Sequence, residues 1–283
     1  MGQLEHDILE LADAYKNPDE FFNAIETKII GQSSEDSGNT FNTIGNILFN
    51  ASYFELALNS WNNALKYFTV IDNKAGISGI YINMANTYIS QDDFIKAYEY
   101  FERALTIAQM TKNKAILELR CYAGFGIISN SQGEYRKAIG YNERALKIAE
   151  TIGDKPAEAG LCRNLGDNFL NLGNFLQAIE FYQRSLTIEQ ANGNNLGQSL
   201  SYANLGTVCV NSGKYKTAID HYEKALALIS DNEGKDSKVI ESTCYSGLGN
   251  AFGHLGEYRR EIEYYEKVLK IAYDIADRAL ELR

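Results

Sequence analysis

NLGDNFLNLGNFLQAIEFYQRSL, residues 164–186, decides the fold. With Leu161 just upstream, Leu165, Phe169 and Leu172 recur at steps of 4, 4 and 3, the single apolar stripe of an amphipathic helix. Gly173-Asn174 then interrupts the pattern, as a glycine does at a helix end. Phe175, Ala178, Ile179, Tyr182 and Leu186 form the stripe of a second helix. Gly166 and Ala178 carry little or no side chain where two such helices would cross, and Phe175 stands at the turn to fill the gap. A hairpin of this kind cannot bury its own apolar faces and needs neighbours on both sides.

The neighbours are in the sequence. The same pattern occurs at TIGNILFNASYFELALNSWNNAL from Thr43, NMANTYISQDDFIKAYEYFERAL from Asn83, GFGIISNSQGEYRKAIGYNERAL from Gly124, NLGTVCVNSGKYKTAIDHYEKAL from Asn204 and GLGNAFGHLGEYRREIEYYEKVL from Gly247. The small residue of the first helix falls at Gly45, Ala85, Gly126, Gly166, Gly206 and Gly249, in steps of 40, 41, 40, 40 and 43. An aromatic follows nine residues later at Phe54, Phe94, Tyr135, Phe175, Tyr215 and Tyr258. A second small residue stands at Ala57, Ala97, Ala138, Ala178 and Ala218 and breaks to Glu261; a third runs from Ala64 to Ala225, with Ser185 among them, and ends as Val268. Self-similarity at this period predicts an all-α solenoid of antiparallel helix pairs, and such arrays bind rather than catalyse.

The expected organisation is a pair of capping helices over 1–38, six repeats over 39–273 (39–72, 77–112, 117–153, 157–193, 197–231 and 238–273), and 274–283 as the start of a further helix or a C-terminal cap. Pro18-Asp19 marks a helix start in the first segment, whereas Gln32 to Asn39 reads as a polar loop. Asp274 to Arg283 (DIADRALELR) aligns with KNKAILELR at 112–120, the opening of a first helix, and so predicts either a solvating cap or a longer natural chain. The charged stretch 230–238, which lengthens the last step, reads as a tolerated surface loop.

The LG pairs (Leu165-Gly166, Leu205-Gly206, Leu248-Gly249), the small–aromatic–Ala spacing and the AL pair closing each second helix resemble the tetratricopeptide repeat. That repeat usually spans about 34 residues. The longer period here, with Gly133-Glu134-Tyr135 and the ALKIAETIGD string from Ala145, is similar to the repeats of Pins/LGN-type polarity adaptors and kinesin light chains. The resemblance covers about residues 39 to 272. It implies a right-handed superhelix whose first helices line a concave surface.

Composition narrows the function. Hydrophobic residues make up 45% and charged residues 23%, with only Pro18 and Pro156 as prolines, so one continuous core is expected and no disordered domain. A net charge of −10, with Lys and Arg scattered over second helices, argues against a nucleic-acid surface. Cys121, Cys162, Cys209 and Cys244 stand far apart inside first helices, as suits free thiols in a reducing cytoplasm. There is no apolar run of membrane-spanning length and no signal-peptide order at the start.

Catalytic and metal signatures are missing from the sequence. His6, His221 and His254 have no ligand spacing, and the GLGNAFG string at 247–253 follows no strand and lacks the dinucleotide spacing. No cofactor, metal or active site is expected. The functional signal is instead a ladder of asparagines on first helices. Asn83, Asn164 and Asn204 stand two residues before the small position; Asn46, Asn86 and Asn250 one after it; Asn50, Asn171 and Asn211 five after it, with His254 as the last of that row. Asn164, Asp167 and Asn171 make one polar stripe opposite the apolar one. An amide donates and accepts together, so a row of them can hold the main chain of an extended peptide. Arg120 and Arg163 join the surface and could clamp a ligand carboxylate. In the polarity-adaptor family, groove residues of these types grip extended acidic peptides, which the resemblance extends to this chain. Against this stand a stacking role for each asparagine and ion pairs for the arginines with Glu118 or Glu158.

The sequence therefore predicts a protein-interaction scaffold with a protein or peptide partner, no nucleic acid and no membrane insertion. A sensor or regulatory domain of a larger protein, and a self-associating array, are the other two readings. Oligomeric state is not fixed.

Overall fold

The computed structural model describes residues 3–14, 17–29, 31–230 and 234–281. Every element among the described residues is a helix. They fall into two compact units, Met1–Gly133 and Glu134–Arg283. The first holds α1 (Gln3–Ala14), α2 (Pro18–Ile29), α3 (Ser34–Asn50), α4 (Phe54–Val70), α5 (Lys74–Ser90), α6 (Phe94–Ala108) and α7 (Lys114–Ser131). The second holds α8 (Tyr135–Ile152), α9 (Lys155–Asn171), α10 (Phe175–Ala191), α11 (Asn195–Asn211), α12 (Tyr215–Ile229), α13 (Lys235–His254) and α14 (Tyr258–Glu281).

From α3 to α6 and from α9 to α14, consecutive helices pack as hairpins and each hairpin packs on the next, while α1 packs on α3 and α2 on α4; first helices also meet one another, α3 with α5 and α5 with α7 in one unit, α9 with α11 and α11 with α13 in the other. The tight turns have one cause. Seven residues after each small position the backbone is left-handed, at Gly133, Gly173, Gly213 and Gly256 but also at Ser52 and Asp92. After α9, the Gly173 N–H bonds the Leu170 carbonyl at 2.8 Å and the Asn174 N–H bonds the Phe169 carbonyl at 2.8 Å, the paired bonds of a Schellman cap. Asn174 then caps α10 by accepting from the Gln177 N–H, as Asp93 caps α6, Asp154 caps α9 and Asn194 caps α11.

The small positions serve a ring rather than a bare helix crossing. A Cβ placed on Gly166 would lie 2.4 Å from the Tyr182 ring; one on Gly206 would lie 2.7 Å from Tyr222, and one on Gly45 2.4 Å from the Trp61 indole nitrogen. Tyr182, Tyr222 and Trp61 are fully or almost fully buried. Gly45, Gly166, Gly206 and Gly249 are therefore sockets for the aromatic sixteen residues on, whereas Ala85 precedes Phe101 and Gly126 precedes Asn142 at that spacing. The break at Glu261 is compensated in the same way: its carboxylate lies 2.6 Å from where a Cβ on Gly253 would stand.

Two expectations need correction. The stretch Gln32 to Asn39 is not a loop beyond Ser33, because α3 opens at Ser34. The Ser33 hydroxyl oxygen accepts from the Asp36 N–H at 3.1 Å and donates to its carboxylate, a capping arrangement that a run of polar residues conceals. Residues 274–281 do not start a separate helix, since α14 runs unbroken through them to Glu281. Residues 231–233 of the charged stretch lie outside the described residues, and α13 begins at Lys235.

Candidate functional site

In residues 1–133 the polar residues of the first helices meet in one chain of bonds. The Asn83 amide on α5 donates to Asn42 Oδ1 at 3.1 Å and Asn46 Oδ1 at 3.2 Å, both on α3. Its own oxygen accepts from the Arg120 guanidinium on α7 at 3.0 Å. Three first helices are thus tied by amide and guanidinium groups alone. Beside this chain lies a depression of about 250 Å³. Asn39, Asn42, Asn73, Asn83, Asn113 and Arg120 supply its polar lining, and Phe68, Ile80, Ile116 and Leu117 its apolar lining. Among the described residues, no carboxylate lines it. Gly79 leaves the floor open, since a Cβ there would meet nothing within 4 Å.

Arg120 is exposed and, among the described residues, has no acidic partner. Glu118 is occupied elsewhere: it accepts from the Gln109 amide at 2.6 Å and lies 3.6 Å from the Lys114 ammonium. One N–H of Arg120 is used on Asn83; the fork keeps donors for a ligand. Asn50 is exposed at the end of α3, and Asn86 is half-buried on α5.

Residues 134–283 use the same residue types differently. Arg163 on α9 donates to Glu189 Oε1 at 2.8 Å and to the Ser185 hydroxyl at 3.2 Å, both on α10. Glu189 is buried and its other oxygen accepts from the Asn194 amide at 2.8 Å. The Arg163 charge is therefore neutralised inside the hairpin, with Glu189 and not Glu158. Glu158 instead takes Lys155 at 2.7 Å and Arg184 at 2.6 Å. Burial alone would push its carboxyl up, and these two cations hold it below the usual range.

The row one residue after the small position turns inward toward the socketed ring. Asp167 accepts from the Tyr182 hydroxyl at 2.6 Å, and Asn250 from the Tyr265 hydroxyl at 2.7 Å; Thr207 lies 3.1 Å from the Tyr222 hydroxyl. Burial raises the Asp167 carboxyl above its ordinary range. Asn164 and Asn204 are half-buried, and Asn171 and Asn211 are exposed at the ends of α9 and α11. His254 is exposed and stacked on Tyr215 with ring centroids 4.7 Å apart. The sequence did not single out Asn39, Asn42, Asn73 and Asn113, which line the depression. Asn39, Asn42 and Asn46 do stand at i, i+3 and i+7, so one helix face carries all three.

The tetratricopeptide-repeat model matches residues 76–151, 158–231 and 211–274. The chain belongs to the tetratricopeptide-repeat family. Its fold class is the all-α helix-hairpin solenoid. No curated protein matches it. Among solved structures it is similar to BtubC (BKLC) from P. vanneervenii, at 20% identity and a TM-score of 0.65 over 80% of this chain and 90% of that one. It is also similar to a Rap protein complexed with competence and sporulation factor, at 14% identity and a TM-score of 0.64 over 94% and 81%. The tetratricopeptide-repeat sensor STAND protein from Pyrococcus horikoshii matches at 18% identity and a TM-score of 0.65, over 99% of this chain and 54% of that one. At these identities the likeness concerns the fold. No helix among the described residues is long and apolar enough to cross a membrane, and no group of His, Cys, Asp or Glu among them could hold a metal.

Proposed function

We propose that this chain is a protein-interaction module that holds an extended, acidic segment of a partner protein against the α3–α5–α7 face. Arg120 meets a carboxylate of the segment. The amides of Asn42, Asn46 and Asn83, with Asn39 and Asn113 at the rim, meet main-chain N–H and C=O groups. The observation that carries this is the guanidinium of Arg120: exposed, oriented by Asn83, set among asparagines and facing no carboxylate among the described residues. A cation held by Asn83 but left without an acidic partner among the described residues is a poor use of structure and a good use of recognition. Helices that are already packed lose little freedom on binding, which favours capture of a flexible chain.

Arg163 has no part in this clamp, because Glu189 already occupies it. Asn50 and Asn86 extend the face in the first unit, and Asn164, Asn171, Asn204 and Asn211 offer amides on first helices of the second. Asp167, Asn250 and His254 act within the fold, on Tyr182, Tyr265 and Tyr215. The module works in the cytoplasm, which the four free thiols support, and does not bind nucleic acid, which the net charge of −10 supports; it acts by binding, without a catalytic residue, metal or cofactor.

Affinity capture from source-cell lysate with wild type and Arg120→Glu, followed by mass spectrometry, tests the proposal. A partner lost from Arg120→Glu at unchanged helical circular dichroism supports it. Identical partners for both would place binding on another face. A sensor role inside a larger protein is supported by one likeness, to a STAND protein with a tetratricopeptide repeat sensor, of which the match covers 54%. Such a role uses the same face, so the same variant would lose the signal-bearing ligand.

A further inference from the structure

α14 differs from the other second helices in what covers it. On α10, Ile179 and Leu186 pack into a core with Leu205 and Val208 of α11. On α12, Ile219 and Leu226 stand at the same repeat positions and pack into a core with Ile240, Cys244 and Leu248 of α13. On α14 those positions are again isoleucine and leucine, yet Ile262 is 59% and Leu269 58% exposed, flanked by Tyr258 at 67% and Tyr273 at 74%. Tyr258, Ile262, Leu269 and Tyr273 step by 4, 7 and 4 and form one stripe on a helix of 24 residues. A continuous apolar stripe of this length on a charged surface marks an interaction site.

The stripe is bordered by charges that tell what can cover it. Arg259, Glu263, Lys270 and Asp274 run along one side, all exposed and, among the described residues, in no ion pair. Their order is plus, minus, plus, minus. A two-fold axis crossing α14 near Tyr265 to Lys267 sets Tyr258 opposite Tyr273 and Ile262 opposite Leu269 of a second α14. The same axis sets Arg259 toward Asp274 and Glu263 toward Lys270. Apolar therefore meets apolar and these four charges meet their opposites, while Glu266, exposed at the axis, stands beside its own copy. Self-complementarity under a two-fold rotation is the condition for an isologous interface. We propose that the outer face of α14 is a docking surface for a second copy of this chain, the two helices running antiparallel. This contact is separate from the α3–α5–α7 face and leaves it free, so it stands or falls independently of the peptide proposal.

Sedimentation velocity of the full chain through the micromolar range tests it, with circular dichroism as the check on folding. Wild type is expected to dimerise. Ile262→Glu/Leu269→Glu would bury four carboxylates in the seam and should raise the dimer dissociation constant at least about a hundredfold. Arg259→Glu alone should weaken the dimer, and Arg259→Glu/Asp274→Arg should restore it, because the reversed charges again meet across the axis. A wild type that stays monomeric at every concentration overturns the proposal. So does a dimer indifferent to Ile262→Glu/Leu269→Glu, or a double reversal that fails to restore what Arg259→Glu removed.

Discussion

Gly166→Ala adds one methyl group to the middle of α9, and two effects oppose each other. Alanine is the better helix former by about 1 kcal/mol. The new Cβ, however, would lie 2.4, 2.6 and 2.8 Å from three carbons of the Tyr182 ring, where ordinary contact needs well over 3 Å. The ring cannot swing aside: Tyr182 is fully buried and its hydroxyl is held by Asp167 at 2.6 Å. Either α9 and α10 separate or the ring leaves its rotamer, at a cost of about 1–3 kcal/mol or more. The net expectation is a loss of about 1–2 kcal/mol. Gly79→Ala, on a first helix of the same kind, meets nothing within 4 Å and should instead gain about 0.5–1 kcal/mol. Urea denaturation followed by circular dichroism reads both. The decisive comparison is Gly166→Ala made in a Tyr182→Ala background. There the socket is empty, so the methyl should cost nothing and the helix preference should show as a gain. An equal loss from Gly166→Ala with and without the ring would refute the socket account of the small positions.

Other outcomes follow from the same packing. Arg163→Leu leaves Glu189 buried without its cation and should destabilise the chain by about 3–5 kcal/mol in a thermal or urea melt, whereas Arg120→Leu should cost under about 1 kcal/mol. Asp92→Gly relieves a left-handed aspartate that the later repeats replace with glycine, and should raise stability by about 0.5–1 kcal/mol on the same melt. Burial pushes the Cys121 and Cys244 thiols up to about 12 and Cys162 to about 11. At pH 8 these thiols are protonated and enclosed, so a thiol reagent should label them only as fast as the chain unfolds; prompt labelling of any of the three in native protein would contradict this placement.

The repeat, its period and the helix pairs were legible because each rests on local pattern. The stripe from Leu161 to Leu172, the turn at Gly173-Asn174 and the stripe from Phe175 to Leu186 all survive as α9, a capped turn and α10. The start of α3 was missed because Ser33 and Asp36 read as loop composition until their mutual bonds are seen. The arginines show what periodicity cannot supply. Arg120 and Arg163 looked alike, each on a first helix with a glutamate nearby in sequence. The partner that separates them, Glu189, lies 26 residues from Arg163 on the facing helix, and only the crossing of α9 and α10 brings it near. The asparagines divide for a similar reason. Asn83 faces other first helices, whereas Asn250 faces a tyrosine of its own hairpin, fifteen residues on. Asp167 and Tyr182 repeat that spacing, so an aligned reading of first-helix and second-helix positions would have exposed the pairing.

The most direct test of the central claim is selection from a random peptide display library on wild type, followed by fluorescence anisotropy of the selected peptides with wild type and Arg120→Glu. The account predicts selected peptides enriched in Asp or Glu. Arg120→Glu should bind them at least about tenfold more weakly, a loss of about 1.4 kcal/mol, at an unchanged melting temperature. Selected peptides without acidic residues, or equal affinity for the two proteins, would contradict it.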